Sequence, residues 1–372
     1  MADSSKSRVY VLGAGCSYDA QHGYPLAKQF VPALEAYSSK IAGLAECQRI
    51  KRAVDDTAAL LKQCQTPTCH AATIDQLINL IWGSRCDQQI RALNPNVPSN
   101  VVDLRYDAVR KAKVATAACF LDRESAAAQH QIVKYRDFIQ GKVMQGVGLS
   151  LPCHLKLRRS TARVLSFNYD RLFEIAFFGA FADAYVKGLG AYADGALNSG
   201  LTAFGDITDI ERDRFCFLKL HGSSGILCND GVLGEGTTFI GDVANWKEVT
   251  PTDALFFQAT QWPKMATSPM IVFPYEKDVV VSKANNELPF RTYVEKVWGH
   301  AGAVLKDASE VWVIGYSFDW TDCSSLVGRI KGAEGCERLV IQNLPSECDR
   351  IERLLRNDYG LQMRIDKHPE PF

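Results

Sequence analysis

The residues of this chain that can do chemistry stand at the ends of short apolar runs. The first run, residues 9–12, ends in Gly13-Ala14-Gly15-Cys16-Ser17. A strand, a glycine turn and then a helix place backbone N–H groups and a helix N-terminus against a phosphate. Gly13 allows a tight turn, and Gly15 lets the backbone approach a ligand closely. A helical pattern follows from Leu26, just after Gly23-Tyr24-Pro25. Run 163–167 contains Ser166 and leads into Asn168-Tyr169-Asp170. Run 215–220 leads into His221-Gly222-Ser223, run 311–314 into Gly315-Tyr316-Ser317, and run 339–341 into Gln342-Asn343. In an open parallel sheet, ligands bind outside the carboxyl ends of the strands. The repeated placement of polar and glycine residues there points to one such site.

Several other chemistries fit these residues poorly. The third glycine of a dehydrogenase fingerprint would fall on Tyr18, and the nearest acid, Glu35, lies inside a helical pattern. Ser223 and Ser224 follow a histidine without a G-x-S-x-G elbow around them. Cys16 could be a nucleophile at a helix N-terminus, where thiol pKa falls, or a small residue packed in the turn. Cys64 and Cys69-His70 form the only close metal-type grouping, with no convincing second half, so no metal site is expected. Asn168-Tyr169-Asp170 could also cap the next helix. Tyr24, Phe167 and Tyr316 could wall a pocket or fill the core. Trp320 and Asp322 have no assigned role.

The elements that position these residues follow from hydrophobic periodicity. Residues 26–84 read as helical, with a turn at 64–70. Residues 85–100 read as a loop, and 101–146 as an alanine-rich helix. The α/β alternation resumes with strands at 163–167, 215–220, 269–273, 311–314 and 339–341, a helix from Leu172 and another over 286–308. Residues 361–365 read as a last edge strand. The expected fold is α/β: a parallel sheet with helices on both faces and a helical subdomain, 26–150, inserted after the first strand. Residues 151–345 complete the core, and 346–372 form a C-terminal tail.

Composition bounds the partners. The chain has 372 residues, 47% of them hydrophobic and 23% charged, with a formal net charge of zero. That balance gives no sign of a nucleic-acid or anionic-membrane surface. The start has no apolar core of a signal peptide, and the run 175–186 is too short to span a bilayer. A cytosolic protein is expected, and its 12 scattered cysteines read as buried or free thiols.

In order and spacing, the four groups of strand-end residues resemble the sirtuin (silent information regulator) superfamily. The match is best to its bacterial antiphage-defence branch, whose members hydrolyse NAD. The resemblance spans roughly residues 8–345 and is interrupted by the helical region. It implies a Rossmann-like domain. Gly13, Ala14, Gly15 and Ser17 match the family's pyrophosphate-binding turn, and Gly23 and Pro25, with Tyr24 between them, match the end of its cofactor loop. Asn168 matches the asparagine needed for catalysis near the nicotinamide ribose, Asp170 the residue that holds the nicotinamide amide, and His221 the general base. Ser166 stands beside them. Gly315 and Ser317 match the pair at the adenosine side, and Asn343 the asparagine near the adenosine ribose. A carboxamide such as that of Asn168 can position a water or hydroxyl, and an imidazole can take its proton near neutral pH. Leu26 and Ala27 replace the phenylalanine–arginine pair of the family's deacylases, their four-cysteine zinc module is missing, and Phe167 stands where they have glutamine. These departures favour water as the acceptor.

The resemblance thus implies an NAD hydrolase, with NAD as substrate and no metal, acting as an NAD-depleting effector in antiphage defence. Only about 30 residues follow the strand at 339–341, too few for a sensor domain. Control is therefore expected from self-assembly or from a partner of nucleotide-sensing, ATPase or Argonaute type. The alternatives are an NAD- or ADP-ribose-binding sensor subunit and an NAD-dependent deacylase.

Overall fold

The computed structural model describes residues 7–19, 23–65, 71–96, 100–143, 162–181, 216–229, 238–239, 247, 249–257, 267–276, 291–318 and 322–372. The chain divides into two compact units. The first is Met1–Tyr18, Ala127–His221 and Glu295–Phe372, and the second is Asp19–Ala126 with Gly222–Val294. The helical stretch expected over 26–150 is therefore shared between them.

The first unit is built on six parallel strands: β1 (Arg8–Leu12), β2 (Ala162–Ser166), β3 (Cys216–Lys219), β7 (Glu310–Ile314), β8 (Arg338–Gln342) and β9 (Arg364–His368). Their order across the sheet is β3-β2-β1-β7-β8-β9. Counted along this sheet alone, that is 3-2-1-4-5-6, the doubly wound Rossmann order. Strands β1, β2, β3 and β7 are buried along almost their whole length, which is why they read as continuous apolar runs and not as alternating ones. Val9, Val11 and Leu12 are fully buried, each contributing about 1.5–3 kcal/mol. Around the sheet run the second part of α5 (Val101–Phe138), α6 (Leu172–Phe181), α8 (Arg291–Lys306), α9 (Cys323–Lys331) and α10 (Pro345–Asn357). The 361–365 expectation is met by β9, three residues later, as an edge strand on β8.

Register brings the strand ends to one level. Leu12 pairs with Ser166 on one side and Ile314 on the other, Ser166 with Lys219, and Ile314 with Gln342. Gly13, Phe167, Leu220, Gly315 and Asn343 therefore all leave the sheet at the same edge. The order reverses between β1 and β7, so the topological switch point of the sheet lies where the Gly13 and Gly315 turns meet.

Those two turns interlock through their backbones. Gly13 N–H donates to Ile314 O at 2.9 Å, Gly15 N–H to Gly315 O at 2.8 Å, and Gly315 N–H to Gln342 O at 3.0 Å. Gly315 has φ +60°, and a Cβ there would lie 2.5 Å from the Cys16 nitrogen. Gly360 also has φ +60°, but a Cβ there would meet nothing within 4 Å. Gly360→Ala is expected to cost about 1 kcal/mol, the conformational penalty alone. Gly315→Ala adds a backbone clash and is expected to cost about 3 kcal/mol or more. Urea denaturation of both variants measures the difference, and equal losses would contradict the interlock.

The second unit holds α1 (Phe30–Ile41), α2 (Gln48–Gln63), α3 (Ile74–Trp82), α4 (Asp87–Leu93), the first part of α5, and α7 (Asp253–Phe256). It also has an antiparallel sheet, β5-β4-β6, from β4 (Gly222–Asn229), β5 (Thr238–Phe239) and β6 (Thr267–Ile271). Its two chain segments are tied by polar contacts. The Asp253 carboxylate accepts from Arg49 and Ile50 N–H, both at 2.7 Å, satisfying the α2 N-terminus. Lys113 and Glu276 form an almost fully buried pair at 2.8 Å.

Two expectations are corrected here. The strand at 269–273 starts and ends two residues earlier and joins the antiparallel sheet, because it pairs with β4, a strand the sequence reading missed. The loop at 85–100 contains α4, whose Asp87 is held by Arg105 at 2.5 and 2.7 Å; seven residues are too few for periodicity to reveal. The zinc-type grouping lies partly outside the described residues, since Cys69 and His70 are not among them.

Candidate active site

The turn after β1 does not run into a helix. A three-residue 3-10 turn, Ala14–Cys16, follows Gly13, and α1 starts only at Phe30, in the second unit. The helix N-terminus expected behind the glycine turn is therefore not in that place. The turn also uses most of its own amides. Cys16 N–H donates to Gly13 O at 2.9 Å and Ser17 N–H to Ala14 O at 3.2 Å, beside the two glycine bonds already given. Among the described residues, the amide of exposed Ala14 is the one from Gly13 to Ser17 without a partner. A Cβ on Gly15 would lie 2.8 Å from Gly315 O, so the missing side chain makes room for backbone packing. Cys16 is buried, its thiol donates to Ile314 O at 3.1 Å, and burial pushes its pKa far up. That environment suppresses the thiolate and fits the packing reading of Cys16.

Ser17 begins a buried polar network. Its hydroxyl accepts from Asn168 Nδ2 at 3.2 Å and lies 2.6 Å from the Tyr135 hydroxyl. Tyr135 comes from α5, and burial holds its phenol well above the usual range. Its ring packs edge-on against Phe372, with centroids 4.8 Å apart. Asn168 follows β2 by two residues. Its backbone N–H donates to the Ser166 hydroxyl at 3.2 Å, which fixes the turn. Asn168 is 7% exposed, and its Oδ1 is buried with no hydrogen-bond partner. A buried acceptor left unmatched is costly, and it calls for an ordered water, an ion or a ligand as its partner.

His221 follows β3 by two residues, and β3 neighbours β2. Its Nε2 lies 2.6 Å from Asp322 Oδ2, in a pair that is almost fully buried. Asp322 holds the N-cap position of α9, yet its side chain makes no capping bond to that helix. The carboxylate serves the imidazole instead. Aromatic rings surround the pair: Phe167 stands edge-on to His221 at 5.1 Å, and Trp298 of α8 lies 6.4 Å from it. Tyr316 packs on Phe167 at 4.6 Å. Phe167 and Tyr316 are both buried, which fits the core reading, and Phe167 packs directly against His221.

The remaining expected residues are placed as follows. Asp170 is buried, and its Oδ1 accepts from Leu172 N–H at 3.0 Å, opening α6 as the capping reading required. Lys219 donates to the Asp170 carbonyl and pairs with buried Glu174 at 2.8 Å; burial raises the Glu174 pKa. Asn343 ties β8 to the next turn, with Nδ2 donating to Tyr316 O at 3.4 Å and Oδ1 accepting from Leu344 N–H at 2.9 Å. Ser317 is half-buried, and its carbonyl accepts from Arg350 at 2.5 Å. Gly23, Tyr24 and Pro25 belong to the second unit, where Tyr24 stacks on Phe120 at 4.8 Å. Ser223 and Ser224 are buried in β4.

No protein-family model matches this chain, and no curated protein matches it at a significant level. The chemistry must be read from the site itself. Sequence reasoning missed Tyr135, Trp298 and the role of Asp322. Tyr135 and Trp298 lie within helical patterns, where aromatic residues read as core. Asp322 gave one signal, an acid at the start of a helix just past the Gly-Tyr-Ser turn. Among the described residues, no cluster of three or more His, Cys, Asp or Glu side chains is arranged to hold a metal, and no helix is long and apolar enough to cross a membrane. Among the described residues, Cys16, Cys47, Cys119, Cys216, Cys336 and Cys348 are thiols outside any disulfide.

Proposed function

We propose that the chain is an NAD glycohydrolase that releases nicotinamide and ADP-ribose. The observation that carries this reading is the orphaned Oδ1 of buried Asn168, held by Ser17 beside the turn after β1, with a buried His221–Asp322 pair after the neighbouring strand. The doubly wound sheet supports a dinucleotide as ligand.

In the reaction, the bond from ribose C1′ to the nicotinamide nitrogen breaks. The bonding pair leaves with neutral nicotinamide, and positive charge develops on the ribose. Asn168 Oδ1 accepts a hydrogen bond from the attacking water or a ribose hydroxyl and fixes its position. The water oxygen bonds to C1′, and its proton passes to His221. Asp322 accepts from Nε2–H, so the imidazole presents Nδ1 as the basic nitrogen. The Phe167 and Trp298 rings pack beside the pair and shield it from bulk water.

The resemblance to the antiphage branch supports a cytosolic, NAD-depleting effector that is kept silent by self-assembly or by a partner protein. The test is nicotinamide release from NAD by the purified chain, alone and with proteins encoded beside it. Turnover is expected under at least one of these conditions. NAD bound without turnover in all of them would favour a sensor, and turnover only with an acylated peptide would favour a deacylase.

A further inference from the structure

Gln131 lies on α5 with none of its surface exposed, and neither Oε1 nor Nε2 of its carboxamide has a hydrogen-bond partner. A complete buried amide with nothing to bind is rare, because both donor and acceptor lose their water without compensation. Its own helix does not relieve it. Ala127 and Ala128, one turn earlier, are fully buried and carry no polar side-chain atom. One turn later on the same face stands Tyr135, since residues four apart on a helix are neighbours. Tyr135 is bonded to Ser17, and Ser17 to Asn168, whose Oδ1 is the other orphaned amide oxygen of this region. One face of α5 thus carries an unmatched carboxamide one turn from the tyrosine whose network ends in a second unmatched amide oxygen.

We propose that Gln131 is a ligand-reading residue whose carboxamide pairs with a group offering a hydrogen-bond donor and acceptor side by side. A primary carboxamide has that edge, and so does the amino-pyrimidine edge of adenine. The inference rests on the NAD reading for its ligand, which carries one such edge at each end. Tyr135, one turn from Gln131 on α5, bonds to the Ser17 hydroxyl that holds Asn168.

The experiment compares wild type with Gln131→Leu, which keeps the side-chain volume and removes both polar atoms. Thermal melts are run on the ligand-free proteins. Calorimetry is run with NAD, nicotinic acid adenine dinucleotide, nicotinamide purine dinucleotide, nicotinamide and adenosine. The melting temperature of Gln131→Leu is expected to rise by about 1–3 °C, because an uncompensated amide is gone. Its Kd for NAD is expected to rise about ten- to a hundredfold. If the paired edge is the nicotinamide amide, the nicotinic acid analogue binds wild type and variant equally. If it is adenine, the purine analogue, which lacks the 6-amino donor, does so. A melting temperature lowered by several degrees marks a structural amide and overturns the inference. NAD bound and cleaved alike by both proteins overturns it and spares the hydrolase. Adenosine or nicotinamide bound by wild type and lost in the variant, with NAD never cleaved, supports the pairing and sinks the hydrolase. Wild type that binds none of the probes overturns the inference.

Discussion

On the NAD hydrolase reading, replacing Asn168 with alanine, or His221 with glutamine, is expected to lower nicotinamide release about a thousandfold or more while NAD still binds. General base catalysis by a positioned imidazole contributes about 10²–10⁴ in rate, and a lost water-positioning contact adds a comparable factor. The choice of glutamine follows from the pair. Asp322 is fully buried, and His221→Ala would strand its carboxylate, at a cost of about 3–5 kcal/mol. A glutamine amide can still donate to Asp322 but cannot take a proton at neutral pH. The His221→Gln variant should therefore melt near wild type and be inactive, whereas His221→Ala should be inactive and less stable. Asn168→Ala removes one donor to Ser17 and leaves the Ser17–Tyr135 bond in place. Turnover within tenfold of wild type in either folded variant would refute the assigned roles. The comparison needs initial rates of nicotinamide release beside NAD affinity by calorimetry.

Asp322→Asn is expected to lower kcat by about 10²–10⁴ and to leave KM for NAD within about twofold. The carboxylate can only accept, so it holds the proton on Nε2 of His221 and keeps Nδ1 free to act. An asparagine amide can turn its nitrogen toward the ring, which favours the other tautomer and removes the charge that steadies the imidazolium. Asp322 touches the histidine and not the reacting atoms, so it is a positioning residue. A purely structural role would appear as lost stability with normal kcat in the folded fraction. A rise in KM at unchanged kcat would mean that Asp322 holds substrate and not the base.

Much of this architecture was legible because it is local. The runs at 9–12, 163–167, 216–220, 311–314 and 339–341 are buried on both faces, so each announces a strand without help from its neighbours. Their polar and glycine ends could be read directly, and with them Asn168, His221 and the Gly315 turn. The role read for Gly15 was incomplete. Its lack of a side chain serves the approach of Gly315, a contact between residues far apart in the chain. Strand β4 was missed because Gly222-Ser-Ser-Gly is a poor strand by propensity, and it forms by pairing with β6.

The sequence by itself determined which segments become strands and which side chains stand at their ends, because burial on both faces and turn chemistry act over a few residues. Only the tertiary structure decided which strands share a sheet, and so sent the 269–273 segment into an antiparallel one. It alone joined Asp322 to His221, across 101 positions, and brought Tyr135 of α5 to Ser17. The physical reason is that hydrogen bonds and buried ion pairs form across space. Helices and crossovers of arbitrary length set which polar groups meet, and spacing along the chain carries no record of that distance.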